Sequence, residues 1–473
     1  MKFLLLICAV SLAAVFAVSA QTRTLRIATY NIEADIGVTN KQATFTNVVR
    51  SAAEGPPLPG LIAPPTNSAD VQAGGVLEGI GEEIVGNDPA QAVDILALEE
   101  TTGNVQTVAP IVNGLNSFYG IAGMYSNSPY QGTEAFGGDP TVGNGPNAVV
   151  FNASTVQLLA SVPVDPPGGT GNLGSTYGEY REVMRYEFAP AGVAPAASNE
   201  FYIYVSHYKS GGSSYNSDRA GEAQIIRTNE AVDLPAMARV LYVGDYNITT
   251  SGDPSYQIIV SNSAPNGVQQ GAGVDPFNPT NNKSINWHSS SASTNILAQE
   301  SDNCEFIQYR DDLEMMTTNV YFGATGGLKY VPGTYHTFGN NGSVNYQGTV
   351  NTSANTSLNN LATNGPVFIS AAQLLVDLTG GSDHLPVVAD YTIPIPAPVI
   401  SGVSLAETNL IFAVTNGITN AAYTVLMSTN VASPLADWIA VATNIATGGS
   451  FTLTATNAVN QAAPGQFYLL RSK

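Results

Sequence analysis

The sequence predicts an α+β protein with a small all-β sandwich domain at its C-terminal end, and three observations support this class. Apolar, β-branched runs alternate with helix candidates over residues 24–391. The stretch I-P-I-P-A-P, at residues 393–398, then indicates a stiff linker. Beyond it, short apolar runs are spaced as in a small β-sandwich. We therefore expect a first domain over residues 21–393, a linker over 394–400 and a second domain over 401–473.

Each predicted element follows from its apolar pattern. Strand candidates in the first domain lie at residues 24–32, 93–98, 148–151, 181–188, 200–205, 240–243 and 385–391. Helix candidates lie at residues 42–53, 76–85, 105–115 and 219–230. The second domain has strand candidates at residues 410–414, 423–427, 438–442, 451–455 and 467–470. The Gly/Asn/Tyr-rich segment 323–366 is too long for a simple connection and is interpreted as an insertion.

Residues 1–20 have the pattern of a secretory signal peptide. Lys2 gives a positive start, residues 3–18 are apolar, and V-S-A precedes Gln21. No later stretch is apolar over enough residues to span a bilayer, so we expect a soluble, exported protein cleaved after Ala20. Cys8 would leave with the signal, and Cys304 alone cannot form an intramolecular disulfide.

The chain is acidic, with 16 basic and 36 acidic residues and a net charge of −20. A broad cationic face for DNA is therefore not expected. Several basic residues fall between residues 181 and 239, where an anion would be held. They are Arg181, Arg185, Lys209, Arg219, Arg227 and Arg239. The alternative is that some of them only pair with nearby acids such as Glu182 and Glu222.

The stretch V-L-Y-V-G-D-Y-N, at residues 240–247, predicts a buried strand that stops at Gly244 and delivers Asp245 and Asn247. Because strand side chains repeat every two residues, we expect both to project on one side of an extended segment. A carboxylate and an amide at a strand end suit a cation or a phosphoryl oxygen. An ordinary G-D-x-N turn explains the same residues equally well.

The same pattern recurs at other strand ends. Polar groups suited to metal or phosphate chemistry follow the apolar runs at Asn31, Glu33, Glu99, Glu100, His207, Asp383 and His384. Carboxylate and amide oxygens favour Mg²⁺, Mn²⁺ or Ca²⁺, whereas a thiolate zinc site is excluded. A histidine held by a carboxylate can take a proton from water, and Asp312 is the candidate partner. A serine nucleophile has no G-x-S-x-G elbow to support it.

The order of motifs resembles the endonuclease/exonuclease/phosphatase superfamily, which has the deoxyribonuclease-I-like fold. The matching pieces are A-T-Y-N-I, D-I-L-A-L-E-E, N-A-V-V-F-N, S-H-Y-K-S with R-A-G-E-A, V-G-D-Y-N, R-D-D-L and S-D-H-L-P-V. They cover residues 24 to 391, most of the chain. The resemblance implies a four-layer α/β/β/α sandwich, with two facing sheets flanked by helices and the site at one end.

The resemblance also implies a role for each matched residue. A metal would be bound by Glu100, with Asn31, Glu33 and Asp383 beside it. The catalytic residues would be His384 as proton acceptor, Asp312 as its orienting partner, Asp245 and Asn247 at the scissile phosphate, and His207 at a phosphate oxygen or the leaving group. The substrate phosphate would be contacted by Arg181, Lys209, Asn147 and Arg219.

Some positions depart from the family pattern or leave a choice open. Glu99 stands where a glutamine is usual, so it either adds a metal-binding carboxylate or faces away. Residues 143–147 carry no acid to partner His207. Asp311 is the alternative to Asp312. Lys209 and Arg219 are equally well explained as surface cations.

Together these features predict a secreted, metal-dependent phosphodiester hydrolase of nuclease type. We expect a monomer with no stable protein partner, acting on nucleic acid or a phospholipid head group. The alternatives are a phospholipid or sphingolipid phosphodiesterase, a phosphomonoesterase, or a non-catalytic binding or adhesion protein on this scaffold. The N-I-T sequon that begins at Asn247 indicates a bacterial source, because a glycan there would block the site.

Overall fold

The computed structural model describes residues 21–32, 68–85, 90–101, 107–119, 121–129, 147–164, 183–261, 271–323, 326–361, 370–417, 422–446, 449–459 and 465–472. Four predictions lie outside these residues: the signal peptide, the helix at 42–53, Glu33 and Arg181. The chain divides into a compact unit over Arg23–Pro394 and a second unit that includes Ile395–Lys473. Within the described ranges, no helix has the length and apolar character needed to cross a membrane.

The first unit is built from short strands and few helices. The strands are β1 (Gln21–Asn31), β2 (Ile95–Glu99), β3 (Tyr125–Asn127), β4 (Ala148–Asn152), β5 (Val156–Val164), β6 (Val183–Pro190), β7 (Phe201–His207), β8 (Val240–Asp245), β9 (Gly273–Val274), β10 (Asp312–Thr317), β11 (Lys329–Tyr330), β12 (His336–Thr337) and β13 (Val387–Ile395). The helices are α1 (Ser68–Glu82), α2 (Ala109–Tyr119), α3 (Asn216–Asp233), α4 (Pro254–Ile259), α5 (Thr294–Leu297), α6 (Thr318–Tyr321) and α7 (Ala371–Gly381).

These strands form two mixed sheets. One has the order β11-β13-β1-β2-β4-β3, with β12 paired to β13, and the other has the order β5-β6-β7-β8-β10-β9. Each sheet contains a parallel pair of neighbouring strands whose carboxyl ends lie together. In the first, Asn31 at the end of β1 is opposite Glu99 at the end of β2. In the second, His207 at the end of β7 is opposite Asp245 at the end of β8. The register therefore brings four of the predicted polar positions to two strand-end pairs.

Three apolar cores show how the layers stack. One core joins the two sheets, with Ile27 and Ile95 from the first sheet and Ile203 and Leu241 from the second. A second core covers the outer face of the first sheet with α1, α2 and α7. A third covers the outer face of the second sheet with α3 and α4. Helices, sheet, sheet and helices follow one another, which is consistent with the four-layer arrangement that the sequence resemblance implies.

The second unit is all β. It contains β14 (Val399–Ala406), β15 (Asn409–Thr415), β16 (Ala422–Ser428), β17 (Ile439–Ile445), β18 (Ser450–Ala455) and β19 (Phe467–Ser472). They form two three-stranded antiparallel sheets, in the orders β14-β15-β18 and β17-β16-β19. Phe412 and Leu453 of one sheet share a core with Tyr423 and Val425 of the other. Two facing sheets with an apolar interior make this unit a small β-sandwich.

The structure corrects the predicted linker and adds seven strands, within the described residues, that the sequence does not predict. Strand β13 extends to Ile395 and β14 begins at Val399, so only residues 396–398 of the stretch predicted as linker (394–400) lie outside strands. Ile393 and Ile395 are buried on alternate positions around Pro394, and a proline is compatible with a strand where no ladder hydrogen bond is needed from its nitrogen. The added strands are β3, β5, β9, β10, β11, β12 and β14. Four of them, β3, β9, β11 and β12, have only two or three residues, and β5 and β14 lie beside proline- and glycine-containing stretches that indicated loop.

Candidate active site

The end of β8 is a turn whose geometry differs from the predicted one. Asp245 is the last extended residue, and Asn247 has a left-handed backbone with φ of 49°. The Asn247 backbone amide donates to Asp245 Oδ1 at 2.9 Å. The side chain of Asn247 donates to the Tyr208 carbonyl at 3.0 Å. Asp245 and Asn247 are therefore brought together by this side-chain-to-backbone turn, and the expectation that strand alternation places them on one side is wrong.

Three of the predicted residues form a compact, buried group, named the first group here. The ligand atoms of Glu100, His207 and Asp245 all lie within 4.8 Å of one another. Nε2 of His207 is 3.4 Å from Glu100 Oε1 and 3.3 Å from Asp245 Oδ2. Asn31 donates to the same Asp245 oxygen at 3.2 Å. Glu100 has φ of 55°, a conformation that costs a residue with a side chain free energy and that is concentrated at functional sites.

His384 and Asp312 form the second feature of the site. Nδ1 of His384 is 2.8 Å from Asp312 Oδ2. Ser301 Oγ donates to the same carboxylate oxygen at 2.7 Å, and its own oxygen accepts the Asp312 backbone amide. On the other side of the ring, His384 Nε2 lies 3.9 Å from Asp245 Oδ2. Of the two acids left open by the R-D-D-L motif, the structure thus places Asp312 against the imidazole.

Burial and crowded carboxylates determine the protonation of the site. Burial lowers the pKa of His384, but the charges of Asp312, Asp302 and Asp383 outweigh it and raise that pKa well above its usual value. Burial raises the pKa of Glu99 well above its ordinary range, and the charges of Asp312 and Asp245 add to the increase. Glu99 accepts a hydrogen bond from Thr29 at 2.8 Å. Glu99 is therefore a buried acid beside the first group, in surroundings that favour its neutral form.

Asp383 lies with a different set of residues from Glu100, although both were predicted to bind the same metal. Asp302, Asp383 and His384 form the second group, whose ligand atoms also lie within 4.8 Å of one another. Asp302 was not predicted as a site residue. It reaches the site because its backbone forms an isolated bridge with His384, a tertiary pairing that no local pattern in the sequence indicates.

The predicted phosphate contacts are held in different ways. Asn147 donates from its side chain to the Val205 carbonyl at 3.0 Å and is buried. Lys209 lies on the segment after β7, with Nζ over the ring of Tyr215 at 5.2 Å from the ring centroid.

The expectation that Arg219 contacts a substrate phosphate is corrected by its surroundings. It is 3% exposed and donates to the carbonyls of Lys209 and Gly211 at 3.1 and 3.0 Å. It also pairs with Asp253 at 3.3 Å. Because these contacts hold the guanidinium inside the fold, Arg219 positions the segment that carries Lys209.

Solved structures similar to this chain include members of the endonuclease/exonuclease/phosphatase family. Neither a protein-family model nor a curated protein matches it. The human Nocturnin catalytic domain with bound sulfate is 13% identical over 79% of this chain and 97% of its own, with a TM-score of 0.40. A family protein from Bacteroides thetaiotaomicron is 11% identical over 79% and 97%, with a TM-score of 0.40. D. rerio TDP2 with a single-strand DNA product is 10% identical over 78% and 98%, with a TM-score of 0.39. Similarities this low leave the function to be argued from the site itself.

Proposed function

We propose that this chain is a divalent-metal-dependent phosphoric ester hydrolase, and within that class a nuclease-like phosphodiesterase. The observation that supports it most is the placement of the His384–Asp312 pair against the first group. Nδ1 of His384 is fixed by Asp312 at 2.8 Å, while Nε2 faces the Asp245 carboxylate at 3.9 Å. A fixed imidazole with one free nitrogen beside a cluster of metal-ligand atoms suits activation of water for attack on phosphorus.

His384 is the proton acceptor in this proposal. Nδ1–H of His384 donates a hydrogen bond to Asp312, so in the neutral ring the lone pair of Nε2 is directed to the attacking water. The positive charge of a cation in the first group would oppose the rise in the His384 pKa that the carboxylates cause, and would favour this neutral form. Water adds to phosphorus as its proton passes to Nε2, and the bond from phosphorus to the leaving oxygen breaks. The leaving oxygen takes a proton from solvent, and His384 returns its proton to solvent after the product departs. Ser301, which donates to Asp312 Oδ2 at 2.7 Å, keeps the carboxylate in place. Holding the ring in one tautomer and orientation is the function of this carboxylate.

The first group fits a divalent cation. Two carboxylates and an imidazole offer ligand atoms that lie within 4.8 Å of one another. Glu100 and Asp245 would hold the ion, with Asn31 and His207 beside it. Carboxylate oxygens suit Mg²⁺, Mn²⁺ or Ca²⁺. When bound, such a cation withdraws negative charge from a phosphoryl oxygen.

His207 and Asn247 are proposed to contact the scissile phosphate and the leaving group. His207 is 2% exposed, and its Nε2 lies between Glu100 and Asp245. The ring is therefore held in one orientation. Asn247 is held by the Tyr208 carbonyl on the segment that also carries Lys209. Preorganised donors next to a phosphate lower the barrier because they need no rearrangement in the transition state.

A further part of the proposal is that the enzyme is exported, bacterial and monomeric. The signal-like pattern of residues 1–20 supports export, and the N-I-T sequon at Asn247 supports the bacterial source. Export would be tested by cellular fractionation and N-terminal sequencing of the mature protein. Processing after Ala20 is the expected result. Retention of an intact N-terminus inside the cell would contradict it.

A substrate panel tests the activity. Oligonucleotide DNA and RNA, sphingomyelin, phosphatidylcholine and a p-nitrophenyl monoester would be incubated with Mg²⁺, Mn²⁺ or Ca²⁺, with and without EDTA. We expect EDTA-sensitive cleavage of a phosphodiester, which His384→Ala and Asp245→Ala abolish and which the exposed-site variant Glu305→Gln retains. Cleavage of a lipid or of the monoester would keep the proposed hydrolysis and change only the class of substrate. Binding without turnover of any ester would contradict the proposal and favour the adhesion alternative.

A further inference from the structure

The second group offers three ligand atoms at the spacing of a metal site. Nε2 of His384 is 3.6 Å from Asp302 Oδ1 and 3.8 Å from Asp383 Oδ1. Ligand atoms that share one tetrahedral Zn²⁺ at about 2.0–2.2 Å lie roughly 3.4 Å apart. Both distances from Nε2 are therefore within a few tenths of an ångström of that spacing, and all three ligand atoms lie within 4.8 Å of one another.

The backbone holds these three residues in place. Asp302 forms isolated bridges with both Tyr309 and His384. The Leu385 amide donates to the Ser301 carbonyl at 2.7 Å, and the Cys304 amide donates to the Asp383 carbonyl at 2.8 Å. The two short segments that carry the ligands are thus tied to each other on both sides of the group. Ligands fixed in this way need little ordering when an ion binds.

A neighbouring acid gives a second geometric observation. Asp311 is 6% exposed, and its Oδ1 is buried with no hydrogen-bond partner among the described residues. Oδ1 of Asp383 is likewise without a hydrogen-bond partner in the described part of the chain. A buried carboxylate oxygen without a donor is either neutral or paired with a positive charge, and a cation in the second group would supply that charge.

We propose that Asp302, Asp383 and Nε2 of His384 bind a second divalent cation, and that this cation inhibits the enzyme. An imidazole with two carboxylates favours borderline ions such as Zn²⁺ or Mn²⁺ over Mg²⁺ and Ca²⁺. Inhibition follows because the ion occupies the same Nε2 that accepts the proton from water. The binding site stands on geometry alone, whereas its inhibitory effect rests on the proposed function.

The position lies next to the first group without coinciding with it. Asp245 Oδ2 is 3.3 Å from His207 Nε2 and 3.9 Å from His384 Nε2. A cation in the first group is therefore compatible with one in the second, and Asp245 is the nearest shared carboxylate. This arrangement predicts metal dependence in two phases, with activation at the first group and inhibition as the second fills.

The test compares Asp302→Asn with the wild-type protein and with Glu305→Gln, which removes one exposed acid from the same loop. Zn²⁺ binding would be measured by calorimetry on the full chain, and hydrolysis would be followed during Zn²⁺ titration at saturating Mg²⁺. We expect two equivalents of Zn²⁺ in the wild type and in Glu305→Gln, and one in Asp302→Asn. The Zn²⁺ concentration that halves the rate should rise roughly tenfold or more in Asp302→Asn.

A second variant, Asp383→Asn, guards against misfolding at the first, because the Asp383 side chain is 47% exposed. It should lose the same equivalent of Zn²⁺. If either folded variant still binds two equivalents, or if the wild type binds one, the second site is wrong. The same data separate the two proposals. If the wild type binds two equivalents of Zn²⁺ but hydrolyses no ester, the proposed function is wrong and the second site stands. If it hydrolyses an ester but binds one equivalent of Zn²⁺, the second site is wrong and the proposed function stands.

Discussion

The orientation of one imidazole decides what the site can do. His384 is fixed on one side by Asp312 at 2.8 Å, and its other nitrogen faces Asp245 at 3.9 Å. A histidine in this position exchanges a proton on one side only, because the other nitrogen is already committed. The acid that orients His384 therefore affects proton transfer directly. A kinetic experiment can for this reason distinguish Asp312 from its neighbour Asp311.

Replacing Asp312 by asparagine should impair turnover far more than binding. An asparagine amide can donate to Nδ1 and so stabilise the wrong tautomer, in which Nε2 carries the proton. We expect kcat to fall by about 10²–10⁴-fold with little change in KM. The adjacent Asp311→Asn is the matched control, measured by initial rates on the best substrate of the panel. If Asp311→Asn showed the larger loss of kcat, the assignment of Asp312 would be overturned.

At the scale of single residues, the sequence indicates those groups that stand at strand ends. Glu100, His207 and Asp245 can be singled out because each follows an apolar run, and His384 because it directly precedes one, and the structure brings them together. Asp302 could not, because its place depends on a bridge to His384, far along the chain. The burial of Arg219 cannot be predicted from the sequence either. A buried arginine and an exposed one look alike in sequence until the acceptors around the guanidinium are known.

Among the elements, the parallel pair β7–β8 sets the separation of His207 and Asp245. Ser206 is opposite Gly244 in this pair, and the two backbones approach so closely that a Cβ on Gly244 would lie 1.9 Å from the Ser206 carbonyl oxygen. Gly244 also has φ of 129°, which side-chain-bearing residues rarely adopt. Glycine at this position is therefore required by the packing of two strands as well as by the turn that follows.

Gly244→Ala should destabilise the protein strongly, because the strands would have to separate at the point where they carry the site. We expect a loss of about 3 kcal/mol or more in the free energy of unfolding. Gly212→Ala is the control, because a Cβ there meets nothing within 4 Å, and its effect should be within about 0.5 kcal/mol. Urea denaturation followed by circular dichroism measures both. Equal stability of the two variants would show that the close approach is relieved at little cost.

A second element contact ties the end of α1 to strand β12. His336 Nε2 is 2.7 Å from Glu83 Oε2, and Asn360 donates to the other Glu83 oxygen at 3.1 Å. Burial lowers the pKa of His336, but Glu83 outweighs it and the pKa is raised. Burial raises the pKa of Glu83, but His336, Asn360 and Arg26 outweigh it and the pKa is lowered. The charged pair is thus favoured in the folded protein.

The pair predicts a specific dependence of stability on pH. The His336 contribution is complete below its ordinary pKa of 6.5 and is lost as pH rises through the raised folded value. The Glu83 contribution is present above its ordinary pKa of 4.5 and is lost as pH falls through the lowered folded value. Between pH 6 and pH 9, the wild type should therefore lose about 1 kcal/mol more stability than His336→Gln. Thermal melts across this range check it, and parallel curves for the two proteins would contradict it.

Element by element, the sequence predicts the strands better than their ends. The apolar run at β8 was evident, whereas the left-handed Asn247 that follows was not, because Asp and Asn are compatible with extended and turn backbones alike. Strand β14 was missed for a related reason. It follows a proline-rich stretch, and Val399, Val403 and Leu405 are exposed, so no buried face marks it as a strand.

At the scale of the whole molecule, the layered fold and the charge act in opposite directions on an anionic substrate. The two parallel pairs concentrate ligand groups at neighbouring strand ends, which favours a bound phosphate once a cation is present. The net charge of −20 repels a polyanion as it approaches. The balance should appear in the response of the reaction to salt.

Raising the ionic strength should therefore leave kcat/KM for an oligonucleotide unchanged or increase it. Salt screens the repulsion between the acidic protein and the substrate, and the Debye length falls from about 20 Å to about 7 Å between roughly 20 and 200 mM salt. An enzyme that binds DNA through many cationic contacts shows the opposite sign, because each phosphate contact adds a slope of about −0.9 to log K against log salt.

A phosphodiester with a single charge is the matched control and should respond less, because long-range repulsion grows with substrate charge. Initial rates on both substrates at constant free metal measure the effect. A steep fall with salt for the oligonucleotide alone would show a local cationic surface strong enough to override the net charge, and would direct the search for it to the basic residues between 181 and 239.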